Sequence, residues 1–398
     1  MKILVLTSTY SRWENDTDPG FVNKLCEYLS PENEVHVVAP HTKGTATEEV
    51  MKGIRVFRFR YFIERWQTLA YDGGILPRLK QNKFRILLVP FFVLGQLLLT
   101  AKLLRRHQYD VIHAHWIIPQ GMVALLAQPF AKAPPAVVAT SHGGDLFALK
   151  GGLLMRVKRW ITQRVEHLTV VSSTMKTRAA EQHLKNERDI SVIPMGVDTH
   201  GMFVPPAQDS VRKGLLFVGR LVEKKGVEYL LQALPRVLER YPGETLTIIG
   251  SGPLQASLIG LCQRLGISDR VVFTGSLVNT RIPDYLRGAA VTIFPSVVAE
   301  DGDQEGTPVA IMEALSCECA IVVSDYPGAR DIIEDGVNGY LVAQRSAEEL
   351  AERICSLLAD PGKQQQLGQN GRKHVQEFYD WRVISARFES VFKRCAAG

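Results

Sequence analysis

The 398-residue chain has little of what defines several protein classes. Cysteine is scarce: Cys26, Cys262, Cys317, Cys319, Cys355 and Cys395 are scattered, and no CxxC pair repeats. That pattern argues against a disulfide scaffold or a zinc site and for reduced thiols in a cytosolic protein. The opening Met1-Lys2-Ile3-Leu4-Val5-Leu6 is too short an apolar run for a signal peptide and reads as a first buried strand. The turn after it, Thr7-Ser8-Thr9-Tyr10, lacks the glycine fingerprint of a nicotinamide site, which argues against a dehydrogenase. There is no low-complexity tract and no short-period repeat. A net charge of +6 is mild for this length, and no nucleic-acid partner is expected.

That charge is uneven. The first 205 residues hold 26 Lys/Arg against 17 Asp/Glu, about +9, and the remainder is about −3. A basic N-terminal half suits an anionic partner such as a phospholipid surface, a lipid diphosphate or an acidic polymer; a merely solvated surface fits the count equally. The longest apolar run, Ile86–Leu104, lies between Lys80, Lys83 and Arg85 and the pair Arg105-Arg106. It approaches the length of a membrane span, but Pro90, Gly95, Gln96 and Lys102 interrupt it. A buried or surface-lying helix with basic ends is the better reading. The run Arg55–Tyr61 alternates basic and aromatic residues and reads as a strand with its arginines on one face. Anionic membrane contact and simple solvation of an edge strand both remain open for it.

Short β-branched runs alternate with amphipathic ones. Strands are expected at Lys2–Leu6, Val35–Ala39, Val111–Ala114, Val137–Thr140, Leu168–Val171 and Ser191–Ile193, with helices such as Phe21–Leu29 and Leu153–Arg164 between them. After a Gly- and Pro-containing linker at 196–213 the rhythm restarts. Strands follow at Leu215–Val218, Thr245–Ile249, Val271–Phe273, Val291–Phe294 and Ala320–Val323, and helices at Val227–Arg240, Leu254–Leu265, Ile282–Leu286 and Pro308–Cys317. This is the alternation of two doubly wound parallel α/β domains, 1–195 and 214–380. A terminal helix, 381–398, carries apolar Val383, Ile384, Phe388, Val391 and Phe392.

The strongest chemical signal is Glu305-Gly306-Thr307-Pro308-Val309-Ala310-Ile311-Met312-Glu313. Thr307 as N-cap and Pro308 in the first turn would open a helix whose free N–H groups, with Gly306, suit a phosphate or sugar hydroxyl. Glu313, about two turns further in, suits a ribose diol. The second signal, Gly219-Arg220-Leu221-Val222-Glu223-Lys224-Lys225-Gly226, follows a buried strand and suits neutralisation of a diphosphate. The adjacent lysines are expected to point differently, and the spacing favours Lys225.

These motifs resemble the retaining glycosyltransferases of family four, the group 1 transferases of GT-B fold. Glu305 and Glu313 match the family's Glu-x7-Glu, Arg220 and Lys225 its phosphate-binding pair, Pro194-Met195-Gly196-Val197-Asp198 its domain junction, and Gly250-Ser251-Gly252-Pro253 its Gly-x-Gly-Pro turn. Pro19-Gly20-Phe21-Val22, His113-Ala114-His115-Trp116, His142-Gly143-Gly144-Asp145-Leu146 and Asp301-Gly302-Asp303-Gln304-Glu305 narrow the likeness to transferases of bacterial cell-envelope glycans.

The resemblance implies two Rossmann-like domains facing each other across a cleft, with the last helix crossing back to the first. It implies transfer of a hexosyl group, with retention, from a UDP- or GDP-sugar to a glycan or lipid-linked acceptor hydroxyl, in the cytoplasm or at the inner membrane face. His142 is expected near the transferred sugar and Glu305 at the donor sugar. Gly20 is expected in a loop over the diphosphate, although Asp18-Pro19-Gly20 replaces the usual double glycine there. Asp301-Gly302-Asp303 mimics a DxD metal motif, but Arg220, Lys225 and helix N-termini supply the positive charge, so no essential metal or other cofactor is expected. His113 and His115 share ligand-like spacing without an evident third ligand, which favours structural or acceptor-side roles. A nucleotide-sugar epimerase of the same two-domain plan, or a non-catalytic nucleotide-sugar-binding protein, would share the donor residues.

Overall fold

The computed structural model describes residues 1–13, 16, 20–71, 74–149, 151–207, 210–300 and 305–397. The chain divides into two compact units: Met1–Met195 with Ile384–Gly398, and Gly196–Val383.

The first unit is built on an eight-stranded sheet: β1 (Lys2–Leu6), β2 (Glu34–Pro40), β3 (Glu48–Met51), β4 (Ile54–Phe59), β5 (Val111–His115), β6 (Ala136–Ser141), β7 (His167–Val170) and β8 (Ile190–Val192). Their order is β3-β4-β2-β1-β5-β6-β7-β8, and every pairing is parallel except the β3–β4 hairpin. The inner strands are buried along their length, as β5 and β6 are at every residue. Helices on both faces impose that, and continuous β-branched runs are its signature in sequence.

The Arg55–Tyr61 stretch corrects one expectation. It forms β4 and the residues just beyond, but β4 lies inside the sheet, between β3 and β2. Val56, Phe57, Arg58 and Phe59 are all buried, so the arginines do not share a solvated face. Arg58 is 2% exposed and is fully engaged. Its guanidinium donates to Glu49 at 2.8 Å, the Tyr71 hydroxyl at 3.0 Å and the Ser11 carbonyl at 2.7 Å. Alternation failed as a guide here because a buried cation is tolerated once each of its nitrogens finds an acceptor.

The second unit carries a six-stranded, wholly parallel sheet of β9 (Leu215–Val218), β10 (Leu246–Ile249), β11 (Val271–Gly275), β12 (Val291–Phe294), β13 (Ala320–Ser324) and β14 (Tyr340–Val342). Its order, β11-β10-β9-β12-β13-β14, is that of a dinucleotide-binding sheet. Val227–Arg240 and Ala347–Ala359 cover one face through Leu230, Leu234 and Ile354. Val309–Ser316 and Pro361–Phe378 cover the other through Ile311, Leu315 and Val375. Residues 196–203 pack on this unit rather than hanging as a linker: Val197 bridges to Asp380, and Phe203 joins the core.

The helix Trp381–Ala396 leaves the second unit and completes the first. Phe388 and Phe392, both fully buried, lie 5.1 and 5.0 Å from the His113 ring on β5. Burying two such phenylalanines is worth several kcal/mol by area, roughly 1.5–3 kcal/mol each.

Candidate active site

In each sheet the strand order reverses between two neighbours, β1 and β5 in the first unit and β9 and β12 in the second. Loops leaving the carboxyl ends on either side of such a point diverge and leave room for a ligand. The expected site residues of the second unit come from those two strands. β9 leads into Gly219, Arg220 and the turn Glu223–Lys225, and the chain after β12 reaches Glu305.

Glu305 is the centre of this cluster. Lys225 Nζ lies 3.0 Å from one carboxylate oxygen and Lys224 Nζ 3.4 Å from the other. The lysines therefore converge on one acid rather than pointing apart, because the short turn Glu223–Lys225 brings both stems to the same side. Burial pushes the Glu305 carboxyl up, but the Lys225 and Lys224 ammonium groups outweigh it and hold the group below its usual range. Arg220 is exposed and makes no ion pair among the described residues. Arg220, Lys224 and Lys225 thus gather around the Glu305 carboxylate at the strand ends, with Glu223 on the same turn accepting from the Glu300 amide.

The backbone here is crossed at close range. Gly226 adopts the left-handed region at φ 60°, and any Cβ on it would collide with the Pro295 carbonyl that follows β12. Gly250, at φ 137° after β10, would collide with the Gly219 carbonyl in the same way. These glycines hold the Gly219–Lys225 loop against its neighbours. The sequence reading gave Gly226 and Gly250 no such role, because a close approach between distant segments leaves no local signal.

Helix Val309–Ser316 differs in its start from expectation. Its N-cap is Pro308, in extended conformation at ψ 117°, so Thr307 precedes the cap instead of forming it. Gly306 lies beneath Gly328, whose Cβ position its carbonyl oxygen would occupy. The first N–H groups of the helix have no intrahelical partner, as at any helix start. Glu313 is the fifth residue of this helix, about one turn in, and burial alone pushes its carboxyl up to about 7. Tyr326 is buried nearby, its hydroxyl pushed up by burial and then by the Glu305 charge. Asp301, Gly302, Asp303 and Gln304 lie outside the described residues. Among the described residues no group of three His, Cys, Asp or Glu side chains is arranged to hold a metal ion.

In the first unit, His142 follows β6. Its ring stacks on His115 (5.2 Å, 11° between planes) and is flanked by Phe21 at 4.8 Å and Trp116 at 5.0 Å. Its Nε2 lies 2.9 Å from Nδ1 of His115. The other nitrogen of His115 is buried without a partner. A buried unmatched N–H costs more than a buried lone pair, so His115 carries its proton on Nδ1 and donates to His142. His142 then holds its own proton on Nδ1. Burial pushes both imidazoles down, His142 to about 3, so neither is charged near neutrality.

The loop after His142 is pinned by buried Asp145, which accepts from the Ser141 hydroxyl at 2.7 Å and the Ile117 amide at 2.6 Å. The His113-x-His115 motif divides its labour. His113 Nε2 is bonded to Thr140 Oγ1 at 2.7 Å and packs on the last helix, whereas His115 reaches His142. Gly20 is the N-cap of helix Phe21–Leu29 at φ −83°, and a Cβ there would meet only Ser11 at 3.7 Å. The fold itself therefore does not require glycine at position 20.

The profile of the family described as glycosyltransferase family 4 matches residues 21–200, and that of glycosyl transferases group 1 matches residues 203–374. The chain belongs to the group 1 glycosyltransferases. Its two sheets are those of the GT-B fold. This transferase is 27% identical over 308 residues to the GDP-mannose-dependent alpha-(1-6)-phosphatidylinositol monomannoside mannosyltransferase of Mycobacterium tuberculosis, covering 73% of this chain and 78% of that one. In fold it resembles sucrose-phosphate synthase from Thermosynechococcus elongatus (TM-score 0.75, 21% identity, 100% and 99% of the two chains). It also resembles the Anabaena protein HepE in complex with UDP (TM-score 0.73, 19% identity, 99% and 100%).

Proposed function

We propose that this glycosyltransferase moves a hexosyl group, with retention, from a nucleoside-diphosphate sugar to a glycan or lipid-linked hydroxyl in cell-envelope synthesis. The observation that carries the reading is the Lys224–Glu305–Lys225 triad beside exposed Arg220. These cations suit the negative charge of a donor diphosphate. As the bond from the anomeric carbon to the phosphate oxygen breaks, the leaving group gains charge, and preorganised cations stabilise it more than the ground state. The acceptor hydroxyl attacks from the face the diphosphate leaves, and its proton passes to the departing phosphate oxygen. Glu305 holds the donor sugar and offsets positive charge at the anomeric carbon, and Glu313 accepts the ribose hydroxyls. Gly219, Gly306 and the helix start after Thr307 and Pro308 meet the phosphates through backbone, with Gly20 contributing from the first unit. His142 donates from Nδ1 to the transferred sugar. The enzyme works in the cytoplasm without an essential metal.

Two relatives support a nucleotide-sugar donor by what they use: HepE was solved with UDP, and the mycobacterial relative is GDP-mannose-dependent. Thermal shift with UDP, UDP-glucose, GDP and GDP-mannose tests the donor, since binding to the folded state raises the midpoint by mass action. One nucleotide series is expected to stabilise the enzyme, and its sugar to be transferred equally with and without EDTA. No shift with any of the four would sink the donor assignment as drawn, and activity lost in EDTA and restored by Mn²⁺ would sink the metal-free reading.

A further inference from the structure

The helix Val89–Arg106 carries large apolar residues on its outward face as well as its inward one. Its inward face, packed on β2, β4 and the helix Met122–Ala127, buries Phe92, Ala101, Leu103 and Leu104 together with Gln96 and Thr100. Gln96 donates to the Thr7 carbonyl at 3.3 Å, and the Thr100 hydroxyl donates to the Gln96 carbonyl at 2.7 Å. Its outward face carries Phe91, Leu94 and Leu98, at spacings of three and four residues. Leu98 is 62% exposed in the full chain, and on the preceding turn Phe84 is 82% and Leu87 68% exposed. Phe62, whose ring meets Phe91 at 5.2 Å, extends the patch to exposed Ile63 and Trp66. Scattered exposed apolar residues need no explanation, but a contiguous face of large ones does.

Charge identifies what covers it. From Arg60 to Gln108 the sequence holds nine Lys/Arg and two Asp/Glu. Arg65 and Lys83 are exposed among the apolar residues, and Lys102 and Arg105 continue the outward face of the helix beyond Leu98. An apolar strip bordered by cations matches a surface whose interior is hydrocarbon and whose headgroups are anionic. The segment does not cross such a layer. Its inward face is part of the first unit, and at Gly95 a Cβ would already press 2.9 Å from the Arg60 carbonyl.

We infer that this face docks the enzyme on an anionic lipid bilayer. The helix Ile75–Gln81 lies between the docking strip and the His142 loop. Leu76 lies 3.4 Å from where a Cβ on Gly144 would stand, and Arg85 ties the strip to the same segment through the Arg78 carbonyl at 3.0 Å. The strip and His142 thus share the carboxyl edge of the first sheet, and a lipid-linked acceptor in the bound layer would present its headgroup at that edge. The purpose of docking rests on the lipid-linked acceptor of the proposed function; the docking itself does not.

Flotation of the full chain with phosphatidylcholine vesicles, with and without phosphatidylglycerol, at low and moderate salt, tests it. Binding is expected only to the anionic vesicles and is expected to weaken with salt. Leu87→Glu plus Leu98→Glu should reduce flotation at least about tenfold, and Lys83→Glu plus Lys102→Glu by a similar factor at low salt. All four positions are exposed, so melting midpoints and the shift with UDP should match the parent chain. The basic pair keeps the test decisive if the apolar pair misfolds. No flotation at low salt, equal flotation with neutral vesicles, or flotation indifferent to either pair would overturn the inference. So would an apolar-pair variant that elutes as a monomer where the parent is a dimer, since the occupant would then be a second copy. The shift with UDP reads the donor site alone, so failure of docking and failure of the transferase reading are separable.

Discussion

Glu305 is an acid held ionised against its own burial, and the cost of that burial is offset by Lys224 and Lys225. The arrangement sets up a sharp test. Arg220→Ala should lower kcat about 10²-fold, the scale for removing one group that acts on transition-state charge. Lys225→Ala should do the same and also free one oxygen of Glu305. Steady-state kinetics with the preferred donor, and unchanged melting, would bear this out; near-normal kcat in both variants would mean the diphosphate lies elsewhere. The identities of these residues were legible from the sequence because a strand end followed by Gly-Arg and a Glu-x7-Glu before a helix are local patterns. Their convergence was not. Adjacent lysines look divergent in an extended chain, and only the short turn Glu223–Lys225 brings them to one carboxylate. The partnership of His115 with His142 was equally hidden, since it joins the ends of two strands 27 residues apart.

At the scale of elements, the parallel strands were legible because burial on both faces leaves a continuous apolar run. Leu215–Val218 and Val291–Phe294 were read to the residue. The β3–β4 hairpin was harder, because Glu48–Met51 is an exposed edge with mixed polarity and Arg58 sits where an apolar residue is expected. The last helix belongs to the first unit by packing although it follows the second in sequence. Truncation before Trp381 should uncover the fully buried His113 ring and remove Ile384, Phe388 and Phe392 from the first core. Loss on this scale, roughly 3–5 kcal/mol for each phenylalanine removed, is comparable with the whole stability of a domain. The truncated chain is therefore expected to be insoluble or unfolded in its first unit. A soluble, fully active truncation, checked by gel filtration and turnover, would show that the helix is dispensable.

Across the whole molecule, buried titratable groups respond to acid in both senses. In the first unit burial pushes His36 and His167 down to about 4, His113 and His142 to about 3, and His115 well below its usual value. Each is neutral when folded but charges readily near pH 6.5 when unfolded, so the unfolded state binds more protons below that pH. Stability is then lost as pH falls from about 6.5 toward 4, by up to about 1.4 kcal/mol per unit for a fully buried ring such as His113. Asp145, raised by burial, opposes this with one group. In the second unit Glu313, raised to about 7 by burial, keeps a proton that the unfolded chain releases above 4.5, so it favours folding at low pH and loses that contribution as pH rises through 7. Four of the five tryptophans, Trp13, Trp66, Trp116 and Trp160, lie in the first unit. Tryptophan fluorescence in urea should therefore show a midpoint that drops between pH 7.5 and pH 5. An unchanged midpoint would mean that these histidines titrate normally.

The closing helix also sets an order of events in time. On the ribosome the first unit emerges first, yet β5 waits for Phe388 and Phe392, which follow some 190 residues after Met195, the end of that unit's leading segment. At roughly 5–20 residues per second, the second unit is completed during a delay of about 10 to 40 s in which that seam stands open. The half of the enzyme made last is the half able to finish folding first, and the newborn first unit holds an apolar slot that any passing amphipathic segment fits until its own arrives.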